Sequence, residues 1–266
     1  DANTTGSYNT AVGSKALSTA TTVDGQDAFG YKALYAANDS SVHNTAIGYQ
    51  ALMACTSGTR NVALGWEAGV ALTTANRCTI IGQNAGQGVL TGDDNVIIGR
   101  EAGKEMTSGG SNTSTGNYSL QNTTTGDANV AIGMEALQAN TTGSSNVAVG
   151  YKTMEANTTA TKNVAVGWEA LNVSTTATYN VALGANTLKK VTDSAENTAV
   201  GYSAGDEITT GDNNLCLGKS AGRPDSPSGI ITTGSNNVCL GNNSISNLYC
   251  ADTSISSSDA RDKTDV

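Results

Sequence analysis

From Asn9 to Leu17 the chain runs polar, polar, small, apolar, glycine, then a variable pair, a small residue and leucine (N-T-A-V-G-S-K-A-L). The same order returns along nearly the whole sequence. Its glycine marks fourteen copies, from Gly13 and Gly30 through Gly116 to Gly218 and Gly241. Eleven of the thirteen intervals share one length, seventeen positions, as from Gly116 to Gly133; the exceptions are the longer steps from Gly30 to Gly48 and from Gly218 to Gly241. The second of these holds an insertion from Arg223 to Gly229 with Pro224 and Pro227, which predicts a loop projecting from one side of the molecule.

The residue two before the glycine is mostly small (Ala63, Ala131, Ala165), whereas those one and three before are mostly β-branched or aliphatic (Val164 and Val166, Val181 and Leu183). This predicts a short strand with apolar side chains on both faces. Asn stands four before the glycine in twelve of fourteen copies, Gln26 and Cys78 being the exceptions, and predicts a stacked amide ladder. Polar stretches such as Asn140 to Ser145 predict the turn that closes each unit. Helical periodicity is absent, and a unit of this length is too short for a helix pair or a propeller blade. Each unit is therefore expected to form one coil of an all-β parallel β-solenoid, or β-roll, of fourteen coils and roughly 65 Å in length. One solenoid buries only the inner face of its strands. The second apolar face predicts a homo-oligomer, most simply a homotrimer.

Composition agrees with a thin, repetitive molecule. Leu, Ile, Val and Phe make up 45 of 266 residues, too few for a thick globular core, while 31 glycines suit close backbone approach. The formal charge of −9 argues against a nucleic-acid partner. No apolar run approaches the roughly 20 residues of a membrane span, so no membrane insertion is expected. The chain begins at Asp1 without an initiator Met or a basic-then-apolar leader, which suggests a fragment or a processed product.

Candidate chemistry is sparse. Five cysteines and one histidine contain no metal-ligand spacing, and neither a metal nor another cofactor is expected. Cys216 and Cys239 share one slot in successive coils, within disulfide range, yet stacked parallel Cβ vectors are poorly posed for a bridge and favour buried free thiols. His43 has no nucleophile near it in sequence and reads as a surface turn residue. Asp93, Asp94 and Asp212 read as solvated turn residues, ahead of calcium ligands between coils. The position after the repeat glycine holds Tyr31, Tyr49, Trp66, Tyr151, Trp168 and Tyr202, forming a stripe along the rod. Such a stripe suits packing between chains, or the binding of a sugar on exposed ring faces.

The N-T-A-V-G-x-x-A-L units, over residues 9 to 245, resemble the head repeats of trimeric autotransporter adhesins and, more closely, the longer repeats of phage tail fibres. The end of the chain, S-S-S-D-A-R-D-K-T-D-V, resembles the opening of the endosialidase-type intramolecular chaperone found on phage fibres and spikes. That resemblance implies a solenoid over residues 1–245, a linker over 246–257, and over 258–266 the start of a chaperone. In that family the chaperone trimerises the fibre and cuts itself off just before a serine, here Ser258, with Lys263 in the matching lysine position. Because the chain stops at Val266, a longer precursor carrying the chaperone body is expected. The function implied is a virion tail-fibre segment, a rigid spacer and host-attachment element with no catalysis of its own. It would contact other tail or baseplate proteins and a host-surface glycan or protein receptor. A bacterial surface adhesin is the alternative and a glycan-cleaving tailspike the third, the latter lacking a recurrent carboxylate pair.

Overall fold

A computed structural model describes residues 4–38 and 41–247. Fourteen three-residue strands follow one another: β1 (Thr10–Val12), β2 (Asp27–Phe29), β3 (Thr45–Ile47), β4 (Val62–Leu64), β5 (Thr79–Ile81), β6 (Val96–Ile98), β7 (Thr113–Thr115), β8 (Val130–Ile132), β9 (Val147–Val149), β10 (Val164–Val166), β11 (Val181–Leu183), β12 (Thr198–Val200), β13 (Leu215–Leu217) and β14 (Val238–Leu240). Each pairs in parallel with the next in a single 14-stranded sheet. The pairing holds like against like: Val130 faces Val147, Ala131 faces Ala148, Ile132 faces Val149. The molecule is thus an all-β parallel β-solenoid with about seventeen residues per coil, as the spacing of the glycines requires.

The repeat glycine is fixed twice over. From Gly13 to Gly201 its φ lies between +127° and +139°, which L side chains rarely adopt. A Cβ on Gly13 would also fall 2.6 Å from the carbonyl oxygen of Gly30 in the next coil. Three further corners of each coil up to that of Gly218, five before the glycine and two and four after it, are left-handed although most are not glycine. Thirty-four described non-glycine residues have φ between 47° and 64°, among them Arg60, Glu135 and Leu137, and none of them is Val, Ile or Thr. Two branches on Cβ crowd the following carbonyl in this conformation, so β-branched residues are kept out of these corners.

The core is one residue deep. The middle residue of each strand from β2 to β14 is buried, usually Ala, and packs with the Ala-Leu pair that follows the glycine, such as Ala136 and Leu137. Volume is exchanged between two slots. Where the fourth residue after the glycine is Gly69, Gly103 or Gly205, the residue three further on is Leu72, Met106 or Ile208. Where it is Leu137, Met154 or Leu171, the partner slot holds Asn140, Asn157 or Ser174. A Cβ on Gly69 would meet Leu52 Cδ2 at 2.9 Å and Ile80 Cδ1 at 3.0 Å, because their side chains already occupy that space.

The Asn column forms the expected ladder, and its work is to pair buried backbone. Asn163 Oδ1 accepts the backbone N–H of Asn180 at 2.9 Å, and Asn163 Nδ2 donates to the carbonyl of Ala177 at 2.8 Å. Each amide in this way ties its own coil to the next. Gln26 serves in the same slot at the longer step before Gly48, its longer side chain reaching the backbone N–H of Asn44 at 3.3 Å.

The insertion does not stand free of the rod. Ser226 is buried, its Oγ donating to the carbonyl of Gly241 at 2.9 Å, and the Asp225 carbonyl accepts the N–H of Asn243 at 2.7 Å. Arg223 Nη1 reaches Asp206 Oδ2 at 3.0 Å. The segment therefore folds back over the last strand and meets the Gly241 carbonyl, with Pro224 and Pro227 at its exposed edge.

Candidate functional site: the outward apolar face

Alternation along each strand turns the middle residue inward and both flanking residues outward. The outward residue just before the glycine is Val, Leu, Ile or Phe in thirteen of fourteen coils, the exception being Thr115. Leu64 is 45% exposed, and Phe29, Ile47, Ile132, Leu183 and Leu240 are exposed with it. Two residues further along, past the glycine, comes the aromatic column. Trp66 is 52% and Tyr202 54% exposed; Tyr31, Tyr151 and Trp168 are also exposed and Tyr49 half-buried. The core inside is already filled, so this face is apolar surface without an intramolecular role.

Ring orientation separates the two uses of the stripe. Tyr31 and Tyr49 stack with centroids 5.3 Å apart and planes 20° from parallel, and Tyr49 and Trp66 at 4.2 Å and 13°. These separations match the spacing of the coils, so the rings pile along the rod with faces against each other and edges outward. A pyranose needs an open ring face. Within this trio the faces between the rings are taken, and Lys32 Nζ lies over the Tyr31 ring, 5.5 Å from its centroid. Lys152 and Lys189 approach Tyr151 and Trp168 at 5.7 and 5.9 Å. The sequence places all six residues in one column, but close ring pairs among them form only at Tyr31, Tyr49 and Trp66.

The other candidates have local explanations. Asp93 Oδ1 accepts the N–H of Asn76 at 2.9 Å and Asp212 Oδ1 that of Ala195 at 2.7 Å, each bracing the turn of the preceding coil. Asp94 is held below the usual carboxylate range by its hydrogen bond with Arg77, 2.6 Å away. Exposed His43 occupies a left-handed corner, φ 57°. Cys55, Cys78, Cys216 and Cys239 are buried free thiols. Burial, and then the neighbouring Cys239, push Cys216 up to about 12, so it is a poor nucleophile. Ser258 and Lys263 lie outside the described residues.

Sequence reasoning missed two groups. Ser114, in the inward slot otherwise held by Ala, Ile or Cys, pairs with Ser119 (Oγ to Oγ 2.6 Å) and donates to its carbonyl at 2.9 Å. A run of buried polar residues, Thr123, Asn140, Asn157 and Ser174, lines the neighbouring core slot, and both polar atoms of the Asn157 side chain lack a hydrogen-bond partner. The signal for both was a hydroxyl or amide in a column otherwise apolar. No protein-family model matches the chain, and no curated protein matches it.

Proposed function

We propose that this chain is a rigid segment of a phage-type tail fibre, in which three copies associate side by side and form a spacer between other tail or baseplate proteins and the host surface. The observation that carries this reading is the outward apolar face, present in thirteen of fourteen coils and external to a core already complete. A lone rod would leave that face in water, whereas a second copy offers side chains at the same spacing. The fibre segment acts without catalysis of its own. Contact with a host glycan or protein falls to its turns, to the insertion edge and to the exposed rings of Tyr151, Trp168 and Tyr202, because Tyr31, Tyr49 and Trp66 stack face to face. The resemblance of Ser258 to Lys263 to a self-cleaving junction supports a virion over a bacterial-surface origin.

Sedimentation tests the association. The chain is expected to run as a trimer at micromolar concentration, and a folded monomer at that concentration overturns the reading. Antibodies against the purified chain, applied to particles and cells of the source, separate the two origins: label on tail fibres supports the proposal, and label on the bacterial surface favours the adhesin.

A further inference from the structure

We propose that β7 and its flanking residues are the register key of the contact between copies, an inference that rests on the self-association just proposed. β7 reads Thr113-Ser114-Thr115 and is the one strand of the fourteen composed wholly of hydroxyl residues. Its inward Ser114 is satisfied by Ser119. The outward Thr113 and Thr115 are half-buried; Thr113 shares its column with Thr45, Thr79 and Thr198, whereas Thr115 is the one polar residue in the column just before the glycine and interrupts it near the middle of the rod. The aromatic column, which also lacks rings at Met134, Ala185, Lys219 and Asn242, holds the polar Gln83, Arg100 and Asn117 over this stretch. Arg100 is held there: its backbone N–H donates to Asn117 Oδ1 at 3.0 Å, and its guanidinium lies 5.2 Å from the Tyr118 ring and pairs with Glu101 at 3.3 Å. A polar band thus crosses an apolar face that continues on both sides.

The occupant of that face is a second copy of this chain. Its side chains recur once per coil, at about 4.8 Å, and a surface of that period is matched along its length by another parallel ladder of equal period. Commensurate ladders have a defect, however. A slip of one coil still sets apolar on apolar almost everywhere and loses only an end coil, so the apolar columns by themselves do not select an alignment. The band does. In register, band meets band; after a slip of one coil, Thr113 and Thr115 of each copy face Val96 and Ile98, or Val130 and Ile132, and their hydroxyls lose water without gaining a partner. A buried polar residue in a coiled-coil seam fixes register by the same means.

The test uses mixed light- and heavy-isotope chains carrying p-benzoyl-phenylalanine in place of Met134, which is 43% exposed one coil beyond the band. Inter-chain photo-adducts, mapped by mass spectrometry, are expected on a single coil of the partner. With Thr113→Val and Thr115→Ile together, the sedimentation coefficient should stay the same while adducts spread to neighbouring coils at comparable yield. Adducts still confined to one coil in that variant overturn the register key while leaving self-association intact. A folded monomer with no inter-chain adduct overturns self-association itself. Should the double variant misfold, Val147→Thr with Val149→Thr adds a second band at β9: these chains should assemble with themselves and mix poorly with wild type, and free mixing overturns the proposal.

Discussion

Two asparagines six residues apart show how little a residue's type and burial say about its energetic role. Asn163 and Asn157 are both fully buried. Asn163 closes backbone groups of the next coil, whereas neither polar atom of the Asn157 side chain has a partner. Removing Asn163 strands the Ala177 carbonyl and the Asn180 N–H, so Asn163→Ala should cost about 1–3 kcal/mol. Replacing Asn157 by Val, the residue at Val191 in the same slot, removes two unpaired groups and should stabilise by about 1 kcal/mol. Denaturant melts of the two variants decide it, and shifts of the same sign would show that the two amides are not distinguished by their pairing. The Asn column was legible in sequence because it recurs. The left-handed corners were legible too, but only as an absence: no β-branched residue stands at any of them, in a chain otherwise rich in Thr and Val. Leu137, φ 51°, can be tested directly. Leu137→Met should be tolerated, since Met154 fills the equivalent slot at φ 53°, whereas Leu137→Ile should cost about 1–3 kcal/mol of backbone strain although its volume is unchanged. Equal melting points for the two would show that the corner tolerates branching.

At the scale of the element, strand and coil followed from spacing alone, because so short and regular an interval between glycines leaves one way to stack the units. The insertion did not. Its prolines and extra length marked a loop, but its return across the last strand depends on Ser226 meeting the Gly241 carbonyl and on Arg223 meeting Asp206, contacts with no periodic signature. Asp206 is a buried carboxylate whose pKa is raised chiefly by burial; Arg223 and Lys190 oppose the shift, and Glu207 adds to it. A raised pKa means that the folded state holds the proton more firmly than the unfolded chain. Its contribution to stability is therefore present at low pH and lost as pH climbs from the ordinary carboxylate value of 3.8 through the raised one. The melting point of the wild type should fall across this window relative to that of Asp206→Asn, which cannot titrate. Parallel pH profiles for the two proteins would show that Asp206 is not the group responsible. Ring orientation in the aromatic column was likewise invisible in sequence, because it is set by side-chain torsions and by the neighbouring ring.

For the whole molecule, the contacts are almost all between adjacent coils, which makes the rod a one-dimensional stack whose stability is a sum of coil and neighbour terms. Length is then an adjustable quantity, provided whole coils are exchanged. Removing residues 147–163 takes out one period and joins Asn146 to Val164, restoring Asn-Val-Ala-Val-Gly across the seam. The Asn ladder, the glycine column and the three left-handed corners all keep their phase. This variant should fold with the circular dichroism of the parent, and small-angle scattering should find a rod shorter by about 4.8 Å. Removing residues 147–162 instead leaves Asn163 directly after Asn146 and adds one residue to the coil. The longer step before Gly48 is met by the special contacts of Gln26 and Ser41, for which Asn129 and its neighbours have no equivalent. Stability should drop by several kcal/mol, since the amide ladder and left-handed corners lose their partners together. If both deletions melt alike, the coils are not phased by the glycine spacing. If neither folds, the stack is cooperative over a longer range than adjacent coils.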